Sequence, residues 1–376
     1  MIRPKFFVDV LKNHTIEFYT GVPDSLLKNL CAYIADNVPS EQNIIAANEG
    51  GAIGIAAGYH LATGRIAVVY MQNSGEGNII NPLASLTDKD VYNIPVLLII
   101  GWRGHPGFRD EPQHIKQGKV TTGLLNLMGI NYTILSKDEE IAEKQINDGV
   151  DFMKRTNECY AIVIEKETFD SYKLQKVESN AFQLSRELAI QTVAEHIESN
   201  ACIVSTTGMI SRELFEYRTI MNESHERDFL TVGSMGHASQ IALGIALQKT
   251  EKRVYCFDGD GASIMHMGNM AIAASMKCKN FVHILFNNGA HDSVGGQPTI
   301  GMKIDFCNLA KSIGYLETFS VENVEQIRET LHFIRTVNGP VFLEILVRKG
   351  NRKELGRPTI SPIQNKKAFM NFLLDF

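Results

Sequence analysis

The sequence predicts an α/β protein of two domains, each a parallel sheet with helices on both faces. Three observations carry that prediction. The 376 residues exceed what one hydrophobic core serves, which points to two domains of roughly 150 to 200 residues each. Apolar residues make up 44% and charged residues 21% of the chain, a balance that fills two cores and excludes disordered and fibrous classes. Short β-branched or aliphatic runs alternate with longer amphipathic stretches in both halves, as strand–helix–strand units of a parallel sheet require.

In the first half the strand-like runs are Ile16 to Tyr19, Ile44 to Ala47, Ile66 to Met71, Val96 to Ile100, Tyr132 to Leu135 and Ala161 to Glu165. Helical patterns occupy Asp24 to Asp36, Gly50 to Ala62 and Asp138 to Arg155. A polar stretch without period, Lys166 to Asn180, reads as a linker. It sets the domains at 1–168 and 183–376, with 169–182 between them. The alternation then restarts: helix Leu184 to Ser199, strands Cys202 to Ser205 and Phe229 to Val232, helix His237 to Gln248 and strand Val254 to Phe257. Helix Ser263 to Lys277, strand Phe281 to Phe286, helix Phe306 to Ile313 and a last strand Val341 to Val347 complete the reading.

Charge and composition narrow the function. With 37 basic against 42 acidic residues, net −5, no basic field exists to hold a nucleic-acid backbone. The apolar run Val96 to Ile100 falls far short of the roughly 20 residues that span a bilayer, and Lys12, Asn13 and His14 interrupt any signal-peptide core near the start. The chain is therefore expected in the cytoplasm, with neither nucleic acid nor membrane as partner. Its six cysteines contain no Cys-x-x-Cys and sit mostly in apolar segments, so neither disulfides nor a zinc site is expected.

The most informative segments are Val254 to Ser263, containing Asp258-Gly-Asp-Gly261, and Phe281 to Ala290, containing Asn287-Asn-Gly289. Parallel strands joined by one crossover helix emerge on the same sheet edge, so Asp260 and Asn288 approach each other despite 27 intervening residues. A carboxylate, an amide oxygen and a backbone carbonyl such as that of Ala290 suit Mg²⁺, which takes oxygen ligands and completes its shell with phosphate oxygens and water. Gly259 and Gly261 permit a tight turn, and the helix opening at Ala262 and Ser263 offers N–H groups to an anion. Each segment read alone is also an ordinary polar turn. A dinucleotide fingerprint would need a third glycine where Ile264 stands.

Taken together, the two segments resemble the Gly-Asp-Gly to Asn-Asn motif of thiamine-diphosphate enzymes. That resemblance implies a cofactor, thiamine diphosphate with Mg²⁺, bound by its diphosphate to the second domain, with Asp260, Asn288 and Ala290 on the metal. Thr207, Gly208, Ser234, Met235, Gly259, Gly261, Ala262 and Ser263 are the matching cofactor-binding positions. Met235, in Gly233-Ser-Met-Gly-His237, takes the place of the bulky residue that keeps the two rings bent; a core methionine is the plain alternative.

The first domain should then supply an acid against the aminopyrimidine ring. Glu49, in Asn48-Glu-Gly-Gly51 at the end of a strand, resembles the activating glutamate of this family, and would relay a proton to ring N1′ so that the 4′-nitrogen can take the C2 proton. The competing reading is a surface acid in a first helical turn. Gly50, Gly51, Gly54 and Gly58 each cost that helix roughly 1 kcal/mol relative to Ala. For Gly54 and Gly58 the expected compensation is close packing of a neighbouring helix.

End to end, the chain is similar to the phosphonopyruvate and sulfopyruvate decarboxylases of this family. Gly21-Val-Pro-Asp-Ser25, Asn48 to Gly51, Arg103-Gly-His-Pro-Gly107, Asp110-Glu-Pro-Gln-His114, Ser234 to His237, Asn287 to Ser293 and Leu355-Gly-Arg-Pro358 carry the likeness. It implies two thiamine-diphosphate-binding domains, pyrimidine-binding then diphosphate-binding, and the short linker leaves no room for a central third domain. The implied reaction is decarboxylation of 3-phosphonopyruvate to 2-phosphonoacetaldehyde and CO₂. Asp24 and His114 match acid–base positions, Asp24 being also a possible helix N-cap.

Arg103, His105 and Arg109 follow the strand Val96 to Ile100, at the edge where open sheets bind ligands, and Arg suits phosphonate or carboxylate oxygens. Ser25, Arg103 and His105 are the expected substrate contacts; a solvated loop is the plain alternative, as is a solvated edge for the basic cluster Arg348 to Arg357. Because sulfopyruvate decarboxylases commonly divide their halves between two chains, a fused chain favours the phosphonate substrate, although the motifs do not separate it from sulfopyruvate. Carboligation is the other reading within the family. A homodimer or higher oligomer is expected, with Glu49 of one chain facing the diphosphate site of another.

Overall fold

The structure, a computed structural model, describes residues 1–176 and 180–374. It divides into two compact units, 1–177 and 178–376. In the first, strands β1 (Tyr19–Gly21), β2 (Asn43–Ile45), β3 (Ala67–Gln72), β4 (Val96–Gly101), β5 (Asn131–Ile134) and β6 (Tyr160–Ile164) alternate with helices α1 (Pro4–Asn13), α2 (Lys28–Asn37), α3 (Glu49–Thr63), α4 (Glu76–Pro82), α5 (Pro112–Leu127) and α6 (Glu139–Thr156). All pairings are parallel, in the order β2-β1-β3-β4-β6-β5.

In the second unit, β7 (Cys202–Ser205), β8 (Asp228–Leu230), β9 (Val254–Gly259), β10 (Phe281–Asn287), β11 (Glu317–Val321) and β12 (Val341–Leu346) form another all-parallel sheet, in the order β11-β12-β10-β9-β7-β8. Its helices are α7 (Arg186–His196), α8 (Met209–Ile220), α9 (Ala238–Gln248), α10 (Asp260–Met265), α11 (Gly268–Ser275), α12 (Phe306–Ile313), α13 (Val324–Ile334) and α14 (Pro362–Leu374).

Alternation along the central strands explains the layering. Leu97 and Ile99 of β4 enter one apolar cluster with helices α1, α2 and α6, while Val96, Leu98 and Ile100 enter another under α3. β10 divides likewise, Val282, Ile284 and Phe286 to one face, Phe281 and Leu285 to the other. Strands buried on both faces are what a parallel sheet with helices on both sides demands. Among the described residues no helix is long and apolar enough to cross a membrane.

The structure corrects the elements in several places. Helices α1, α4, α5, α8, α13 and α14 and strand β11 stand where the sequence reading leaves irregular chain. In α5 the pattern is broken by Gly118, which must be small because a Cβ there would run into the Gly104 carbonyl. The stretch 263–277, expected as one helix, is two: His266 leaves helical geometry at φ −134°, ψ 53°, with its ring against Gly236 and His237.

The helix expected from Asp24 begins at Lys28. Within 169–182, Phe169 lies in the first unit's core, Tyr172 packs edge-on against Tyr33, and the Gln175 and Lys176 N–H groups bond to Asp36. Asn180 bonds instead within the second unit. Residues 177–179 lie outside the described residues.

Candidate active site

In each unit the strand order reverses beside its first strand, and the loops leaving either side of such a switch point open a crevice at the carboxyl edge of the sheet. In the second unit those loops follow β7 and β9. A pocket opens there, with Thr206 and Thr207 on one side and Gly259, Asp260, Gly261 and Ala262 on the other. The loop after β10 closes it with Asn288, Ala290, His291, Asp292 and Ser293, and Met235 reaches it from the loop after β8. Most of the positions expected to bind cofactor or metal thus meet in one place.

Local chemistry holds the pocket open. A Cβ on Gly261 would lie 3.0 Å from the His291 ring and 3.5 Å from the Met235 methyl, so only glycine keeps that gap. Thr207 Oγ1 accepts the Gly233 N–H at 3.0 Å, tying the Met235 loop to the end of β7. Asp260 is buried, which raises its pKa to about 6 against the opposing pull of Thr299 and nearby backbone N–H groups. The Thr299 hydroxyl donates to Asp260 Oδ2. The Asn288 amide oxygen accepts from the Ala290 N–H at 3.0 Å. Burial lowers the His291 imidazole to about 4, so it is neutral at neutral pH.

Gly208, Ser234 and Ser263 lie outside this pocket wall. Gly208 turns the chain at φ +97° opposite Ser293. Ser234 is exposed and left-handed at φ +49°. The Ser263 hydroxyl points at Met270 Sδ, 3.3 Å away inside the core. Sequence reasoning missed Thr206, Arg186 and Thr299, and did not single out His291 and Ser293 although the motif Asn287 to Ser293 contained them.

In the first unit the loops at the switch follow β1 and β3, and Arg103 follows β4. Glu49 opens α3 behind the Asn48 cap, whose side chain accepts the Gly51 N–H at 2.8 Å. Its carboxyl is buried, takes a 2.7 Å hydrogen bond from Asn78, and lies so close to Gly75 that a Cβ there would sit 2.5 Å from it. Gly54 and Gly58 face open space within the chain. Asn78 and Gly75, in the string Ser74-Gly-Glu-Gly-Asn78 after a strand, were not legible as partners of Glu49.

Asp24 is fully buried. It accepts from Gln72 at 2.5 Å and from the Leu26 N–H at 2.9 Å. That second bond makes a local turn; α2 starts beyond it with Leu27 at its N-cap, so Asp24 caps no helix. Burial raises its pKa, partly offset by Gln72, backbone N–H groups and the Arg103 charge. Arg103 forks onto Asp110 at 2.8 and 2.5 Å and gives its remaining arm to Ser25 Oγ at 2.6 Å. Asp110 ends below its usual range through those bonds, despite a desolvation that pulls the other way.

His114, in the first turn of α5, is pushed down to about 4 by burial and by the Arg103 charge. His105 stands apart, its ring against Trp102 at 4.1 Å and its Nε2 3.6 Å from Glu165. The structure therefore joins Asp24, Ser25, Arg103 and Asp110 in one hydrogen-bonded cluster.

The comparisons with known proteins agree with this geometry. Residues 4–122 match the thiamine pyrophosphate enzyme, N-terminal TPP binding domain, and residues 206–345 the thiamine pyrophosphate enzyme, C-terminal TPP binding domain. Phosphonopyruvate decarboxylases of Streptomyces viridochromogenes and Streptomyces hygroscopicus are each 30% identical to the chain, over 94% of it and 90% of their own length. The sulfopyruvate decarboxylase of Methanosarcina acetivorans is 28% identical over 97% of the chain and 96% of its own. The chain belongs to the thiamine pyrophosphate enzyme family. Within it, the chain is a thiamine-diphosphate-dependent decarboxylase, a carboxy-lyase.

One expectation is limited here. Sulfopyruvate decarboxylases with separate alpha and beta subunits match one half of the chain each, but the Methanosarcina relative spans both units in one chain, so fusion alone does not separate phosphonate from sulfonate. The pocket of the second unit fits the cofactor's diphosphate on its own terms. Thr206 Oγ1 on its wall is buried without a partner, and the Asp260 carboxyl and Asn288 amide are hard oxygen donors of the kind Mg²⁺ takes.

Proposed function

We propose that the substrate is 3-phosphonopyruvate, converted to 2-phosphonoacetaldehyde and CO₂ in phosphonate biosynthesis. The observation that carries this is the 30% identity to two phosphonopyruvate decarboxylases through both units. Sulfopyruvate is the second reading, favoured by the 28% identity to a full-length sulfopyruvate decarboxylase.

Bound thiamine diphosphate supplies a nucleophilic carbon and a sink for the electrons released as CO₂ leaves. The chain's residues do the rest. Asp260, Asn288 and the Ala290 carbonyl hold Mg²⁺, and through it the diphosphate. Thr207, Gly259, Gly261 and Ala262 would line the diphosphate cradle, with Gly208, Ser234 and Ser263 in the turns and helix next to it, and Met235 would stand against the bound cofactor from the loop after β8. Glu49, kept in place by Asn78 and Gly75, exchanges a proton with the aminopyrimidine N1′.

Asp24, buried and raised toward its protonated form, donates a proton, and neutral His114 accepts one. Ser25 and Arg103 meet the anionic end of the substrate, while His105, set against Trp102 and Glu165, stands off from that pair. Asp110 fixes the Arg103 fork in one orientation and takes up part of its charge. In this reading, 1–168 is the pyrimidine-binding domain, 169–182 the linker and 183–376 the diphosphate-binding domain. The enzyme works in the cytoplasm as a homodimer or higher homo-oligomer with sites between chains. The helix face bearing Gly54 and Gly58, open within one chain, is where the partner packs.

CO₂ release measured side by side on phosphonopyruvate, sulfopyruvate and pyruvate, with thiamine diphosphate and Mg²⁺, tests the substrate. Phosphonopyruvate is expected to give the highest kcat/KM. A higher value on sulfopyruvate replaces it with the second reading.

A further inference from the structure

The Asn288 amide is held from two sides by partners of fixed character. Its Nδ2 donates to Asp292 Oδ2 at 2.6 Å, and its Oδ1 accepts the Ala290 N–H at 3.0 Å. A carboxylate is an acceptor only and a backbone N–H a donor only, so the reversed amide would set donor against donor and acceptor against acceptor. The orientation is thereby fixed, and one lone pair of Oδ1 is left over.

Asp292 is itself immobilised. The same Oδ2 accepts from Arg186 Nη1 at 3.1 Å and from the Gly350 N–H at 3.0 Å. Arg186 in turn grips Glu213 through two bonds of 2.8 and 3.0 Å. The Arg186 and Asp292 side chains are 6% and 8% exposed, so this is a built support and not a surface pair. Asn180 completes it by donating to the Asn288 backbone carbonyl at 3.2 Å.

We propose that Asp292 is a positioning residue for the cation site, holding the Asn288 amide so that its oxygen, not its nitrogen, is presented beside Asp260. The inference rests on the reading of Asn288 as a metal ligand. Groups that orient a ligand from behind typically set metal affinity by 10- to 100-fold, which gives the size of the effect.

The probe is Mn²⁺ in place of Mg²⁺, its binding followed by electron paramagnetic resonance in the presence of thiamine diphosphate, with the melting temperature of the ligand-free protein recorded alongside. Asp292→Ala is expected to weaken Mn²⁺ about 10- to 100-fold and to raise the Mg²⁺ needed for half-maximal turnover. Asp292→Asn, whose side-chain oxygen can still accept from Asn288, should restore most of that affinity. If Asp292→Ala fails to fold, Asp292→Ser serves, being polar but too short to hold the amide.

A loss variant that melts lower yet binds Mn²⁺ as the wild type does overturns the proposal and leaves Asp292 a structural ion-pair partner. Asn288→Ala separates the two levels. If Asn288→Ala weakens Mn²⁺ while the Asp292 loss variant does not, only the positioning role falls; if Asn288→Ala also binds normally, the metal-ligand reading falls with it.

Discussion

Counted along each half, the two units have the same strand order, 2-1-3-4-6-5, the second being read from its other edge. Equivalent loops therefore do different work on one scaffold. After the third strand, the first unit places Glu76 and the second Asp260, each buried at the start of a helix, and burial raises them to about 7 and about 6. Asp260 opens onto a pocket with further oxygen donors around it. Glu76 is enclosed by Gln117 and Thr121.

The fourth-strand loop carries Asn288 in one unit and Arg103 in the other, the first supported from nearby in sequence by Asp292 and Ala290, the second forked onto Asp110 and reaching back to Ser25. The same crevice is left as an open pocket lined by oxygen donors where glycine leaves space. It becomes a packed, hydrogen-bonded cluster where charged and polar side chains fill it. Topology says where a site lies; the loop residues decide what it does.

The largest expected effect breaks the first unit's half of this comparison. Glu49→Gln fills the same space and keeps the contact with Gly75, but an amide cannot relay the proton, so turnover should fall about 10²- to 10⁴-fold with cofactor affinity changed less than about tenfold. Exchange of the cofactor's C2 proton into deuterated water should slow in parallel. Normal exchange in this variant would remove Glu49 from the role.

Asp260→Ala breaks the other half, and the effect should appear in binding rather than in proton transfer. Calorimetry with thiamine diphosphate and Mg²⁺ is expected to show metal-dependent affinity lost. Unchanged affinity would make the 259–261 turn merely structural. The two variants also test assembly, since each damages a different unit. If sites form between chains, co-refolded mixtures of Glu49→Gln and Asp260→Ala regain a fraction of activity, one intact site per heterodimer; recovery of none would place each site within one chain.

How much of this was legible in the sequence differs between the units for a physical reason. Asp260, Asn288 and the glycines around them are held by backbone turns and by the parallel pairing of β9 with β10, which residue type and spacing encode locally. Glu49 was visible as a helix-opening acid, yet Asn78 and Gly75, which hold it, come from another loop. The Asp24, Gln72, Ser25, Arg103 and Asp110 cluster joins the end of β3 to two loops through side chains. No periodicity reports such long-range pairings. Helix α5 escaped notice because Gly118 and Gly123 interrupt its pattern. Arg186 could be placed on a helix but not aimed at the pocket.

A smaller effect sharpens the Arg103 comparison. Asp110→Asn removes the carboxylate that forks Arg103 while keeping its shape, so the guanidinium loses its counter-charge and its fixed orientation. Charge-assisted bidentate bonds are the strong ones, and their loss at a positioned group should raise KM for the anionic substrate about tenfold, near 1.4 kcal/mol, with kcat less affected. Arg103→Lys, which cannot fork, should do likewise. Wild-type KM in both variants would show that the Arg103 fork is structural.

The smallest expected effect concerns Glu76, the first unit's counterpart of Asp260, and it appears in stability against pH. Its folded pKa of about 7 exceeds the unfolded value near 4.3, so the folded state holds the proton more tightly. The stabilisation is fully present below the unfolded value and is lost as pH rises through 7, because ionising this buried carboxyl costs desolvation that the hydrogen bond from Gln117 does not recover. Glu76→Gln has no proton to lose. Relative to this variant, the wild type should therefore lose up to roughly 3 kcal/mol between pH 4 and pH 8, read as the difference between their chemical-denaturation curves. Parallel stability profiles would mean that Glu76 ionises without cost, as it could if water or a cation reached it, and the contrast with Asp260 would then disappear.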